Sequence, residues 1–458
     1  MKRFFARRVV PAFAALACIA GLASTARAAG DPALVARGAY LATAADCVAC
    51  HTVPGQQRFT GGRAFSLPFG TLYSTNITPD TETGIGSWTD DDFVRALHEG
   101  IGKGGVHLYP AFPYASFTGM SREDALAIKA YLFSLPPVHS PAPENKIAFP
   151  FNLRFGMAAW NLLYNPDKRF TPDPAQSADW NRGSYLVNVL GHCAECHTPR
   201  TLAFGLDQSR PLAGTVVDGW KAYNITPDKQ SGIGGWTDEA LAQFLATGHA
   251  EGHGVASGPM AEAIEDSLRH LTPQDIHAMV VYLKSVPPQP GGTGPVVNTD
   301  PPALAQTVAF GPGPAASGPD LGRHIFEGSC ASCHSWDGTG LQTPYAGLRG
   351  DRSVNDPDAT NVVQIVLQGA NLHTAAGVVT MPSFANAYTD AEIAAVANYV
   401  VGRFGGTPAT VTAADVARAR AGTPPPPWLP YVLPAIVLAV LLALLAVVLA
   451  LTPRRRIA

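Results

Sequence analysis

The sequence predicts an all-α fold: three consecutive, loop-rich helical domains followed by one C-terminal transmembrane helix. A C-x-x-C-H motif recurs three times, about 140 residues apart, and the segments around the first two copies repeat each other. Every copy is followed, at the end of its unit, by a capped apolar-periodic helix. Residues Leu429–Leu451 are 23 residues without a charge, about the ~20 needed to span a bilayer. With 458 residues and 47% hydrophobic composition, about two to four domains can each bury a core. The 45 glycines and 40 prolines fall largely in visible linkers, so they mark loops rather than wholesale disorder.

The two ends agree with each other. Lys2, Arg3, Arg7 and Arg8 form a charged start, Val9–Leu22 an apolar stretch, and Ala26-Arg27-Ala28 a cleavage site, so residues 1–28 read as a secretory signal peptide. A lipoprotein signal at Cys18 ranks lower, because Ala15 rather than Leu stands three residues before it. At the other end Arg454, Arg455 and Arg456 close the apolar run 429–452. The positive-inside rule makes 453–458 a cytoplasmic tail. The body then lies on the periplasmic side of the inner membrane, against membrane lipid. Trp428 and Tyr431 stand where an interfacial aromatic belt would be. Without residues 1–28 the chain has 27 basic and 35 acidic residues, a net charge of −8. Nucleic acid is therefore no partner, since it selects basic surfaces.

Seven cysteines decide the chemistry. Cys18 is in the leader; the others are Cys47-Val-Ala-Cys50-His51, Cys193-Ala-Glu-Cys196-His197 and Cys330-Ala-Ser-Cys333-His334. C-x-x-C-H is the attachment pattern of c-type haem. On a helical turn the two thiols span the two haem vinyl groups, and the following imidazole reaches the iron from beneath. Structural zinc needs four ligands from neighbouring pairs. A thioredoxin-type dithiol needs a strand–helix setting that is not seen here. The three motifs therefore predict three covalently bound haem c groups.

The repeat fixes the organisation. Arg37-Gly-Ala-Tyr40 and Arg182-Gly-Ser-Tyr185 precede the first and second motifs. Asn76-Ile-Thr-Pro-Asp80 with Gly84-Ile-Gly-Ser-Trp88 follows the first, and Asn224-Ile-Thr-Pro-Asp228 with Gly232-Ile-Gly-Gly-Trp236 follows the second. Each unit ends in a helix and a double proline, Pro136-Pro137 and Pro287-Pro288. The third unit opens at Gly322-Arg-His-Ile-Phe and lacks the Asn-Ile-Thr-Pro segment. This gives domains at 33–137, 179–288 and 319–406. A linker with a short helix (Asn152–Tyr164) occupies 138–178, a Pro/Gly tract 289–318, and a further linker 407–428. Helices are predicted over 89–99 (N-cap Thr89), 122–134 (Ser121), 273–285 (Thr272, with Pro273 first) and 390–403 (Thr389, with Glu392 in a capping box).

A sixth iron ligand is sought among six methionines. Met120, Met260 and Met381 each fall after a motif and before its unit's last helix, and His/Met iron suits electron transfer. Core packing is the alternative for any methionine; Met279 fits it, and Met157 competes with Met120. His107, His249, His253 and His373 compete as bis-histidine ligands. Trp88 and Trp236 stand equally as haem neighbours or plain core. Gly100-Ile-Gly-Lys-Gly-Gly105 matches a dinucleotide pattern but follows a helix in a chain without βαβ alternation, so it is rejected. No substrate-oxidising centre is seen, so catalytic residues are none.

These motifs, with Gly191-His-Cys-Ala-Glu-Cys-His-Thr-Pro-Arg200, resemble the three-haem cytochrome c subunit of membrane-bound quinone-reducing dehydrogenases, of the alcohol, gluconate, sorbitol and fructose type. The resemblance covers about residues 35–405. It implies cytochrome c-like domains and covalent thioethers at Cys47, Cys50, Cys193, Cys196, Cys330 and Cys333. It implies axial pairs His51 with Met120, His197 with Met260, and His334 with Met381. A catalytic subunit bearing pyrroloquinoline quinone, flavin or a molybdenum cofactor would be the partner, and ubiquinone the acceptor. The second unit departs in one respect: around Met260 it lacks the aromatic residues of Tyr109-Pro-Ala-Phe-Pro-Tyr114. A free-standing membrane-anchored relay, or a haem enzyme with an open iron site, are the other readings.

Overall fold

The computed structural model describes residues 31–294, 320–340, 343–374, 377–422 and 427–451. The signal segment, most of the Pro/Gly tract and the 453–458 tail lie outside the described residues.

Each unit closes where its first helix crosses its last. Pro32–Ala44 lies against Arg122–Ser134, Ala178–Tyr185 against Pro273–Leu283, and Leu321–Ile325 against Asp390–Val400. One glycine makes each crossing possible. A Cβ on Gly38 would stand 1.8 Å from the Ala127 carbonyl oxygen; on Gly183, 1.9 Å from that of Ala278; on Gly322, 2.1 Å from that of Ala395. Any side chain there would push the helices apart.

The last helices start on the expected caps. Ser121 Oγ accepts from the Asp124 N–H at 3.1 Å and Thr272 Oγ1 from the Asp275 N–H at 3.2 Å. Thr389 and Glu392 complete a capping box. Asp124 and Asp275 also carry a second task. Arg37 donates to Asp124 within the first unit, and Arg182 donates to Asp275 through Nε (2.8 Å) and Nη2 (2.7 Å) within the second. Then the tyrosines cross over: Tyr40 donates to Asp275 at 2.5 Å and Tyr185 to Asp124 at 2.6 Å. The Arg-Gly-x-Tyr repeat is thus a reciprocal joint.

Units one and two accordingly share one hydrophobic core, with Leu41, Val48, Met120 and Ile128 from the first and Leu186, Leu190, Trp236 and Met279 from the second. The third unit has its own core around Phe326, Val363, Ile393 and Phe404. It carries Leu321 and His324 where the others carry Arg and Tyr, and it meets the second unit through ring and apolar contacts (Tyr345 on His249, Leu372 against Gly248) and through polar ones. Lys221 Nζ meets Asp356 at 2.9 Å, and Asn361 exchanges two hydrogen bonds with the Lys221 backbone (2.8 and 3.0 Å).

Two expectations are corrected. The fold is not all-α. Ala64–Leu67, Gly70–Tyr73 and Lys146–Ile147 form an antiparallel three-stranded sheet. Two-stranded ladders join Ile101–Gly102 with Val106–His107, Thr215–Val217 with Trp220–Ala222, His249–Ala250 with Gly254–Val255, and Ala370–Thr374 with Gly377–Met381. These strands are too short to show a period of two, so they hide inside glycine-rich loops. The second correction concerns the transmembrane helix of 429–452 and the membrane anchorage read from it. Leu429–Tyr431 is a separate 3-10 turn, and the helix proper runs Val432–Leu451 with Pro434 in its first turn. Among the described residues no helix is long and apolar enough to cross a membrane. The lost turn removes the margin that the 23-residue reading supplied. The expected linker 407–428 also differs: it carries helix Ala413–Ala421, tied to the last helix by Asn398 bonding both ways with Val411 (2.9 and 2.8 Å).

Candidate haem sites

Each motif is a short helical turn: Cys47–His51, then Ala194–His197 and Ala331–His334, each starting just after its first cysteine. The second and third are entered from wide helical turns, Leu186–Leu190 and Phe326–Cys330, an irregularity often found at functional sites.

No disulfide joins the six described cysteines. Burial pushes Cys47, Cys50 and Cys193 up to about 12, and Cys196 and Cys330 up to about 11. A thiolate nucleophile or metal ligand needs the opposite shift. Among the described residues no cluster of three His, Cys, Asp or Glu side chains is placed to hold a metal ion.

The histidines are held alike. Nδ1 of His51 meets the Thr75 carbonyl oxygen at 2.6 Å, that of His197 the Tyr223 oxygen at 2.7 Å, and that of His334 the Ala346 oxygen at 2.7 Å. Each bond fixes the ring and leaves Nε2 as the ligating atom. Burial lowers the pKa of His51 and His334 and takes His197 to about 4, so each imidazole keeps its lone pair. Neutral thiols in pairs beside an oriented, neutral imidazole fit covalent haem c.

The repeated segments supply that carbonyl. Thr75 and Tyr223 each precede Asn-Ile-Thr-Pro-Asp. Asn76 accepts from the Thr78 N–H (2.9 Å) and donates to the Val138 carbonyl (2.7 Å); Asn224 does the same with Thr226 (2.9 Å) and Gln289 (3.0 Å). Each asparagine therefore ties its loop to the chain after the double proline. The Gly-Ile-Gly segments close on the same loop. A Cβ on Gly84 would stand 2.3 Å from the Thr78 carbonyl oxygen, and on Gly232 2.2 Å from that of Thr226. The third unit lacks this segment and uses Ala346, at the end of a 3-10 turn Pro344–Ala346.

The methionines differ in setting. Met120 is fully buried in the shared core. Its loop is braced by the second unit: Ser116 donates to Glu195 at 3.2 Å and the Phe117 ring meets His192 at 5.5 Å. Met260 is partly buried in the first turn of helix Gly258–Asp266. That helix lies against the first motif, where Arg63 donates both to Glu262 and to the Ala49 carbonyl oxygen (2.5 Å). Met381 ends a strand and lines a cavity of about 490 Å³ shared with Glu262, Glu265 and His373. Of the competitors, Met279 is core. His249 packs on Tyr345 (4.7 Å), His253 stacks on Trp236 (3.9 Å), and His373 pairs with Glu265 (2.8 Å). His107 has a buried Nδ1 without a partner among the described residues. Sequence reasoning missed Arg63 and Glu262, which share no motif, and the role of Tyr40, Tyr185, Asp124 and Asp275, although the repeat displayed the tyrosines.

The cytochrome c family model matches residues 35–136 and 319–403. The fructose dehydrogenase cytochrome subunit of Gluconobacter japonicus is 39% identical over 403 residues, 85% of this chain and 83% of that one. The gluconate 2-dehydrogenase cytochrome c subunit of Pantoea cypripedii is 38% identical, covering 88% and 94%. The alcohol dehydrogenase (quinone) cytochrome c subunit of Gluconacetobacter polyoxogenes is 37% identical, covering 89% and 88%. This chain belongs to the cytochrome c subunits of dehydrogenase complexes. Membership gives this cytochrome subunit an electron-transfer role, covalent haem c and a dehydrogenase catalytic partner.

Proposed function

We propose that this cytochrome subunit takes electrons from its dehydrogenase partner and passes them through three covalent haems to ubiquinone. Cys47 and Cys50, Cys193 and Cys196, and Cys330 and Cys333 would form the thioethers. His51 with Met120, His197 with Met260, and His334 with Met381 would be the axial pairs. The haem supplies one-electron chemistry; the chain orients it and keeps water from it. The observation that carries the reading is the threefold pinning of a C-x-x-C-H histidine by a backbone carbonyl. Quinone as acceptor is supported by the name of the alcohol dehydrogenase relative.

Intact mass of the purified chain tests the haem count, and three thioether-linked groups are expected. Reduction by a co-purified dehydrogenase subunit and reoxidation by a ubiquinone analogue test the path. A chain with fewer than three haems, or one that a quinone never reoxidises, overturns the reading.

A further inference from the structure

Arg352 belongs to the third unit, yet its half-buried side chain reaches into the second. Its guanidinium carbon stands 4.7 Å over the centre of the Tyr223 ring. Its Nη2 donates to the Asn224 carbonyl oxygen at 3.2 Å and also to that of Ser231. The chain leaving the second unit closes over it, so that a Cβ on Gly294 would lie 2.8 Å from that nitrogen. Nε is buried without a partner among the described residues.

Tyr223 is the residue whose carbonyl oxygen receives the Nδ1 proton of His197. The cation therefore sits beside the hydrogen bond that sets the donor strength of the second proximal histidine. Asp356, which accepts from the Tyr223 hydroxyl at 3.2 Å, pairs with Lys221 at 2.9 Å, and Lys221 also meets Asp358 at 2.5 Å. Among the described residues no carboxylate lies in ion-pair reach of Arg352. The first unit has Thr75 in the place of Tyr223, so it offers no ring for such a cation.

A positive charge near iron favours the less charged, ferrous state. Its hydrogen bond goes to the Asn224 carbonyl, one peptide beyond the Tyr223 carbonyl that holds His197, so the effect is carried by the charge. We propose that Arg352 is a positioning residue through which docking of the third unit raises the reduction potential of the second haem. This rests on the haem reading of the motifs. The midpoint order of the haems then depends on contact between units and not on axial ligands alone.

The test uses the full chain with Arg352→Gln and Arg352→Lys, each checked by intact mass and titrated spectroelectrochemically. The Gln variant is expected to lower one midpoint of three and leave the other two in place. Lysine, which keeps the charge though not the planar fork, is expected to retain most of that midpoint. If the Gln variant does not load haem, Arg352→Met, which keeps an apolar stem over the ring, replaces it. Fully loaded charge-free variants with three unmoved midpoints overturn this inference alone, as does a Lys variant that falls as far as Gln. A wild-type chain without haem on its second motif overturns the haem reading and this inference with it.

Discussion

Replacing Tyr40 by Phe deletes one oxygen and two hydrogen bonds between the first two units: the donation to Asp275 at 2.5 Å and the acceptance from the Thr272 N–H at 3.1 Å. A bond to an ionised acceptor contributes about 1.5–3 kcal/mol, and a neutral one about 1 kcal/mol. Tyr40 is only half-buried, so water recovers part of both, and a net loss of about 2 kcal/mol is expected. Asp275→Asn in the same background isolates the pair. Its coupling with Tyr40 should be about 1–2 kcal/mol, because the two side chains touch. Guanidinium unfolding followed by Soret absorbance and by tryptophan emission measures it. Tyr185→Phe, at the mirror position, should weaken the same transition. A pH arm gives the sign independently. Burial tends to raise the Asp275 pKa, but the bonds from Arg182 and Tyr40 outweigh it and hold the carboxyl below its ordinary value. A depressed native pKa contributes stability that is full above the ordinary carboxylate value and is lost as pH falls through the native one. The joint should therefore loosen in acid, and Asp275→Asn should remove that dependence. If Tyr40→Phe stays within about 0.5 kcal/mol of wild type and the cycle is additive, the reciprocal joint does not hold the units together.

Gly322→Ala places a Cβ 2.1 Å from the Ala395 carbonyl oxygen. It should destabilise the third unit by about 1–3 kcal/mol, read as an early loss of one Soret component on heating while the shared core persists. Asp351 gives a pH effect of opposite sign to Asp275. Burial pushes it up to about 6, so the folded chain holds a proton that the unfolded chain releases, and stability falls as pH rises from about 4 through about 6. Melting between pH 4 and 7 should show that slope, and Asp351→Asn should flatten it. Met381→Ala should open the third iron, if Met381 is its axial ligand, so that the reduced chain binds carbon monoxide at one haem. Unchanged binding would remove Met381 from the axial set.

The attachment turns were legible because their chemistry is local: two thiols and an imidazole in five residues need no tertiary information. The helix caps at Thr89, Ser121, Thr272 and Thr389 were legible for the same reason, and each lands on the residue expected. The strands were not. Their ladders are two to five residues long and pair across loops. One signal was nonetheless present: Asp218-Gly219, both at positive φ, is a favoured turn of a two-residue hairpin. Asn76 and Asn224 were visible as repeats, but their use, tying the carbonyl-bearing loop to the end of the unit, depends on Val138 and Gln289, about 60 residues away. Arg63 with Glu262 spans 199 residues, and no periodicity points across that distance. The apolar end of the chain misled in another way, because composition counts residues and does not report where a helix begins.

The placement of the methionine segments explains why the first two units share a core. The Met120 loop is braced by Glu195 and His192 of the second motif, while the Met260 helix is braced through Glu262 and Arg63 to the first motif. Each motif therefore leans on the segment that carries the other unit's candidate sixth ligand. A shift of one unit against the other would disturb both candidate haem sites at once, so their spacing is enforced from two sides. The reciprocal tyrosines tie the same two units a second time, Tyr40 to Asp275 and Tyr185 to Asp124. No such exchange ties in the third unit, whose Leu321 and His324 cannot form it. Its contact with the second combines polar bonds around Lys221, Arg352 and Asn361 with the packing of Tyr345 on His249 and of Leu372 against Gly248. Polar contacts of this kind give registry more than strength. The third unit is thus the part whose docking can vary while the first two keep their common core, because among the described residues it meets the second through local contacts and not through a core the two share.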